Sequence, residues 1–454
     1  MIKSKDDIRA YLRDNSCSKV KLAIVDIDGI LRGKIVSADK FRTILDGGMG
    51  FCAVVFGWDM EDKSYDNVNV TGWHNGYPDF DAMVDIKTFR QIPWEDDIPF
   101  FLADFSNEKG EGLDVCPRTL LKRINNRALE MGFKSQFSEE FEWFNFETTP
   151  DGYYGQELSK TKPLTPGMFG YSILKASQKS PFFHDLFDYC HRFGIPLEGL
   201  HTETGPGVYE AAIQYGDILT AADRAVLFKT SVKEIAYKHG IMATFMAKWS
   251  EKLPGNGGHV HQSLWDLDLE SNLFHDQNDP LHMSALMKQY IAGQLYCLPH
   301  MLPLVAPTIN SYKRLVEGAW APTTLTWGVD NRTTALRVLS RGKSSTRLET
   351  RVVGSDVNPY LAMSACLAAG LYGIAHQLPL NQPASVGNGY RDFSNGTLPT
   401  SLQEATAQMK ESAVAKELFG EAFVEHFCNT REWECREFAA SVTDWERKRY
   451  FEII

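Results

Sequence analysis

Two glutamates spaced two residues apart in an aromatic stretch are the first chemically suggestive feature of the chain. FSEEFEWFNFE (137–147) reads as a strand from its aromatic content and alternation, and in a strand side chains two apart share a face. Glu140 and Glu142 therefore project together, on the face that also carries Phe144 and Phe146. Two carboxylates on an apolar face are costly unless protonated, paired or bound to a cation. The competing reading is a solvent face with incidental acids, and Glu139 and Glu147 on the opposite side favour it. A second acidic cluster lies in PLEGLHTETGPGVYEAAIQY, where Gly205-Pro206-Gly207 signals a turn between two strands. With Pro206-Gly207 as the tip, Glu203 faces Glu210 across the pair. Like charges directly opposite destabilise a sheet pair, and a divalent cation between them would reverse the sign; surface acids on a hairpin are the alternative.

In LPGNGGHVHQSLW the glycines do not make a phosphate-binding P-loop, because no Gly-Lys-Ser/Thr follows. They lead into His259-Val260-His261, two imidazoles on one strand face. Arginines then crowd a short apolar region: Arg314, Arg332, Arg337, Arg341, Arg347 and Arg351, with Glu349 and Arg351 sharing a face in RLETRVV. Scattered arginines usually pair with surface acids, but this density suits an anionic substrate. Oxygen-rich ligation with an imidazole argues for Mg²⁺ or Mn²⁺ rather than zinc or copper. Divalent cations ringed by arginines are the working parts of phosphoryl transfer, where positioning and charge neutralisation supply nearly all the catalysis.

These side chains need a framework, and the 454-residue chain has room for one. A short helix over 3–15 precedes KVKLAIVDIDGILRGKIV, a hairpin turning at Asp28-Gly29, and FCAVVFGW (51–58) reads as a further strand. A boundary falls in NEKGEGLDVCP, giving segments 1–112 and 113–454. Pro117 opens a helix carrying Leu121, Ile124, Ala128 and Met131 at 3–4 spacing and stopping at Gly132. Asn358-Pro359 starts another over 360–376. Residues 380–400 read as loop and 401–454 as helical. Apolar residues make up 43 % of the chain, ample for a core, and 47 Lys+Arg against 58 Asp+Glu leave it acidic, which excludes a phosphate-tracking nucleic-acid surface. Eight cysteines without a Cys-x-x-Cys pair fit a reduced interior. The uncharged run Tyr360–Ala375 is too short to span a bilayer, and the N-terminus lacks the apolar core of a secretory signal. The expectation is a soluble cytoplasmic protein.

The ordered series EEFEWF, HTETGPGVYE, PGNGGHVHQSL, NSYKRL, WGVDNRTTALR and RLETRVVGSDVNPYLA resembles the motif series of the glutamine synthetase family, in family order and across most of the chain. The resemblance implies an α+β fold, with an N-terminal β-grasp domain (1–112) and a catalytic domain (113–454) whose antiparallel strands line a funnel. It implies a homo-oligomer, a dodecamer of two stacked hexameric rings, with sites between subunits. It makes Glu142, Glu203 and Glu210 ligands of the cation that helps hold glutamate, and Glu140, His259 and Glu349 ligands of the one at the ATP phosphates. Arg314, Arg332 and Arg351 become glutamate- and phosphate-binding arginines, Arg337 assists at the phosphates, and Gly255 offers a backbone contact to the amino acid. Glu198, Tyr215, His261, Ser263 and Arg347 match nucleotide-site positions. The implied activity is ATP-dependent formation of γ-glutamyl phosphate from glutamate, followed by displacement of phosphate by an amine.

One departure bears on the acceptor. Glutamine-forming members carry a glutamate in the flap, where it helps bind ammonium; here EGAWAPTTLTWG places Trp320 at that position. The pattern is similar to members that join glutamate to larger amines, such as γ-glutamylpolyamine synthetases. Trp320 would then wall an organic amine by apolar contact or cation–π attraction of about 0.5–2 kcal/mol; the plainer reading is a flap-packing residue. With a pKa near 10.4, only about one alkylamine in 10³ is neutral at pH 7, so a base is needed. Asp59 in FGWDMED is the candidate, since the family supplies an aspartate from the neighbouring subunit, although the usual Asp-Gly-Ser-Ser is absent. The competing functions are glutamine synthesis from ammonia and a non-catalytic assembly on the same fold.

Overall fold

The computed structural model describes residues 3–107, 110–154 and 161–454. Residues 108 and 109, within the expected boundary segment, lie outside them. The first sheet is built from β1 (Lys19–Val25), β2 (Leu31–Ser37), β3 (Met49–Cys52), β4 (Asp79–Val84), β5 (Arg90–Ile92) and β6 (Ile98–Ser106), in the order β2-β1-β6-β4-β3 with β5 also on β6. β1 and β2 form the expected antiparallel hairpin, with Gly29 at φ +82° in the turn. β1 then pairs in parallel with β6, the β-grasp arrangement. The run 51–58 is only partly a strand. After Cys52 the chain makes a 3₁₀ turn over Ala53–Phe56 and buries Ala53, Val55 and Phe56, and an apolar run without alternation does not separate strand from buried turn.

The second sheet comprises β7 (Lys134–Phe146), β8 (Leu197–Thr202), β9 (Val208–Ile213), β10 (Gly216–Asp217), β11 (Met242–Thr244), β12 (Gly258–Trp265), β13 (Trp327–Val329), β14 (Leu336–Leu339) and β15 (Arg347–Thr350). Its path is β13-β14-β15-β12-β7-β9-β8, with β10 and β11 also on β7. Pairing is antiparallel as expected, except that the three-residue β13 lies parallel to β14, because the chain loops back through 330–335 and re-enters in the same direction.

Helix Pro117–Glu130 begins and ends as its sequence requires, burying Leu121, Ile124 and Ala128 with Gly132 at φ +87° beyond it. Helix Pro359–Ala375 is capped by the Asn358 side chain, which accepts from Tyr360 N. It packs against helix Ala285–Met301 so closely that a Cβ on Gly293 would lie 2.2 Å from Ala369 O.

β1 is buried on both faces. Val20, Leu22 and Ile24 pack with Phe41, Ile44 and Phe101, while Ala23 and Val25 join the large core that also holds Leu120, Phe193 and the second sheet's inner residues. Buried ion pairs fasten the same junction. Arg118 reaches Asp85, Asp104 and Asp223, Tyr360 Oη donates to Asp223 at 2.6 Å, and Arg431 from helix Glu421–Ala440 meets Asp28 at 2.6 Å. All eight cysteines are free. Among the described residues no helix is long and apolar enough to cross a membrane.

Candidate active site

Strand parity gathers the acidic and basic side chains onto one face of the second sheet. Across β7 and β12, Glu140 lies opposite His259; across β7 and β9, Glu142 lies opposite Glu210; Glu349 lies between His261 on β12 and Arg337 on β14. All but His261 line a cavity of about 420 Å³ that also receives Glu203, Gly255, Arg314, Trp320, Arg332 and Arg351. All six expected cation ligands therefore share one cavity, from four separate stretches of sequence. A second cavity of about 370 Å³ holds Glu198, Tyr215, His261, Ser263 and Arg347, and Glu140 borders both.

Two expectations are corrected here. The hairpin tip is not Pro206-Gly207: the register pairs Thr202 with Tyr209 and His201 with Glu210, and Glu203 N donates to Val208 O at 3.0 Å. Glu203 is thus diagonal to Glu210 rather than opposite it. The shift is two residues, so it leaves both carboxylates on the same face. The far side of β7 is not solvent either. Glu139 is 1 % exposed, and burial pushes its carboxyl up to about 8.

The missed residue is His201. It faces Glu210 across β8 and β9, and His201, Glu203 and Glu210 offer ligand atoms within 4.8 Å of one another. The His-x-Glu spacing of 201 and 203 would have put the imidazole on the acidic face once the register was known. Its ring stacks on Tyr171, with centroids 4.6 Å apart and planes at 10°. Tyr171 also lines the first cavity. Tyr171 and Trp320 have φ of +55° and +57°, a left-handed conformation that is uncommon for bulky residues and is found at functional sites.

The electrostatics are those of a cluster awaiting positive charge. Burial and the neighbouring Glu140, Glu142 and Glu203 push Glu210 up to about 12, so it holds a proton. Burial also raises Glu140, but hydrogen bonds from Glu210 and His261 outweigh it and leave Glu140 well below the usual range. Burial raises Glu142, which accepts from Gly257 N at 2.6 Å. Glu349 is driven down to about 2, because Arg351, His261, His259 and Arg337 outweigh its burial. Arg337 donates to it at 2.9 Å, and Arg351 does so as well. His259 is held neutral by burial and by Arg351, its pKa down at about 3, and its Nε2 is buried without a partner. A carboxylate cluster that shares a proton, beside a neutral imidazole with an orphaned nitrogen, fits a hard divalent cation, which would displace that proton.

Arg314 is 3 % exposed and donates only to Val352 O and Arg351 O. It has no ion-pair partner among the described residues, so it suits an incoming anion. Gly255 lies against it: a Cβ there would be 2.5 Å from Ala247 O and 2.9 Å from Arg314 Cγ. In the second cavity Arg347 Nε donates to His261 Nδ1 at 3.1 Å, and His261 Nε2 is 3.0 Å from Glu140. Asp59 does not reach either cavity of its own chain. Its Oδ1 accepts from the backbone of Glu61 and Lys63, and its Oδ2 from Trp433 Nε1 at 2.9 Å.

Comparison with known proteins agrees with this geometry. The sequence profile of the glutamine synthetase catalytic domain matches residues 114–450. Type-1 glutamine synthetase 2 of Dictyostelium discoideum is 51 % identical over 457 residues, covering 100 % of this chain and 87 % of that protein. Glutamate–isopropylamine ligase of a Pseudomonas species is 36 % identical over 451 residues, covering 98 % of each. The solved GmaS/ADP complex superposes with a TM-score of 0.85 at 27 % identity, covering 98 % of this chain and 99 % of that one.

Proposed function

The chain belongs to the glutamine synthetase family, and from that premise we propose that it joins the γ-carboxylate of glutamate to an organic amine, with ATP cleaved to ADP and phosphate. The observation that carries the choice of acceptor is Trp320 at the cavity, which Tyr171 also lines, where an ammonium-binding flap would offer a carboxylate. Two aromatic walls suit an alkylammonium with an apolar tail. The names of the relatives point both ways, one to glutamine and one to an isopropylamine product.

In this reading Arg314 and Arg351 orient the amino acid, with Gly255 admitting its backbone-side contact, and Arg332 and Arg337 face the phosphoryl group. Glu142, Glu203 and Glu210 hold one cation and Glu140, His259 and Glu349 the other. When bound, Mg²⁺ or Mn²⁺ neutralises charge on the transferring phosphoryl group and the substrate carboxylate. The γ-carboxylate displaces ADP to give γ-glutamyl phosphate, whose phosphate is then a leaving group for the amine. Asp59 of a neighbouring subunit is the proposed proton acceptor, in a homo-oligomer of stacked rings. Glu198, Tyr215, His261, Ser263 and Arg347 hold the nucleotide, and the cytoplasm is the proposed compartment.

Phosphate release with glutamate, ATP and a panel of amines tests the proposal. Primary alkylamines are expected to be better acceptors than ammonia. Ammonia as the one good acceptor overturns the organic-amine reading and establishes the second reading, glutamine synthesis, which the 51 % relative favours.

A further inference from the structure

Behind the cavity face, inside an otherwise apolar core, three polar side chains close a ring. On β12, His259, His261 and Ser263 face the cavities while Val260, Gln262 and Leu264 are buried. On β15, Arg347 and Glu349 face the cavities while Leu348 and Thr350 point inward. Gln262 Nε2 donates to Thr350 Oγ1 at 2.7 Å, Thr350 Oγ1 donates to Gln294 Oε1 at 2.8 Å, and Gln294 Nε2 donates to Gln262 Oε1 at 2.7 Å. Tyr290 Oη donates to Gln262 Oε1 at 2.7 Å, and Gln294 Nε2 also reaches Cys366 O at 2.9 Å. All four side chains are at most 1 % exposed.

Burying two amides, a hydroxyl and a phenol in a core adds no stability that Leu, Val and Phe would not supply. The ring therefore calls for a role other than stability, and sheet register provides one. A one-residue slip of β15 against β12 turns Glu349 into the core and is already forbidden by the hydrophobic pattern. A two-residue slip keeps every side chain on its face, so apolar packing hardly opposes it. It would carry Glu349 about 7 Å along β12. The ring is closed in the observed register, which sets Val260 opposite Thr350 and Glu349 opposite His261, and a slip would move Thr350 relative to Gln294 on its helix.

We propose that Gln262, Thr350 and Gln294, with Tyr290, are positioning residues that lock β15 to β12 and so fix Glu349 relative to His259 and Glu140. The inference rests on the reading of those three as ligands of the phosphate-side cation. Its consequence is selective: the ring governs the Glu140–His259–Glu349 site and leaves the Glu142–Glu203–Glu210 site on β7, β8 and β9 alone.

Calorimetric and electron paramagnetic titration of the full-length protein with Mn²⁺, without nucleotide, tests this alongside thermal unfolding. Thr350→Val keeps the shape and removes two ring bonds; Thr350→Ser keeps the hydroxyl. In Thr350→Val, one of the two Mn²⁺ sites is expected to weaken by about tenfold or more, the usual scale for lost supporting interactions, while the other is unaltered. Thr350→Ser is expected to restore wild-type binding. The triple variant Gln262→Leu/Thr350→Val/Gln294→Leu is expected to melt no lower than wild type yet lose the same site. Two intact sites in folded Thr350→Val overturn the proposal, as does equal weakening of both sites in step with melting temperature. If the triple variant does not fold, Thr350→Val decides alone. A wild-type protein without two Mn²⁺ sites overturns the ligand reading, and the register lock falls with it.

Discussion

Glu349 accepts from both Arg337 and Arg351, and in the proposed function it also offers a lone pair to a cation. Glu349→Gln removes the charge that both guanidiniums balance. Turnover is expected to fall by at least about 10³, the scale of a lost electrostatic element. Stability is expected to fall by about 3 kcal/mol, because buried Arg351 loses its carboxylate partner while Arg337 keeps only Asp330. Steady-state phosphate release and thermal unfolding read the two effects separately, and near-native turnover would remove Glu349 from the site. At the mouth, Trp320→Glu is expected to lower the KM for ammonia and raise it for bulky amines, measured on the same acceptor panel. The face these residues share was legible because two-residue spacing is enough to put Glu140 with Glu142 and His259 with His261. His201 shares the face of Glu203 by the same spacing, but its place opposite Glu210 was not legible, because Gly205-Pro206-Gly207 permits more than one closure.

Strands and helices carry the next layer. β7 is buried on the side away from the cavities, and the sequence signal for that was ambiguous: Glu139 and Glu147 read as solvent-facing acids, yet Glu139 lies in the core. A single strand cannot announce what covers its far face. Here that cover includes helices Ile218–Lys238 and Pro359–Ala375. Helix ends were easier, since Pro117, Gly132 and the Asn358-Pro359 cap act locally. The close crossing of Ala285–Met301 with Pro359–Ala375 leaves no room at Gly293 or Gly373, where added Cβ atoms would approach Ala369 O and Gln289 O to 2.2 and 2.1 Å. Gly293→Ala is therefore expected to destabilise the protein by about 2–3 kcal/mol, the cost of overpacking. Because Gln294 is the next residue, Mn²⁺ binding is expected to weaken with it. Denaturant unfolding with and without Mn²⁺ checks both.

Across the whole molecule, the first sheet is tied through Arg118, Tyr360 and Arg431 to helices Pro117–Glu130, Ile218–Lys238, Pro359–Ala375 and Glu421–Ala440. His426 lies on helix Glu421–Ala440, 3 % exposed with both ring nitrogens unpartnered. Burial and Arg431 lower its pKa to about 4, against about 6.5 in the unfolded chain. The folded pKa is the lower one, so the unfolded state takes up the proton first and stability falls as pH drops through the interval from 6.5 to 4. The slope approaches about 1.4 kcal/mol per pH unit, or about 2 kcal/mol lost by pH 5. His426→Leu is expected to flatten that part of the profile, as followed by chemical denaturation from pH 7 to 5. An unchanged slope would exclude His426 as its source.

Glu140 borders both cavities, and that shared wall makes the two chambers parties to one equilibrium. Anything that settles against Arg347 and His261 alters the grip Glu140 keeps on its neighbours next door. If the two cavities take nucleotide and amino acid as proposed, reciprocity requires each to change the other's binding by one common factor.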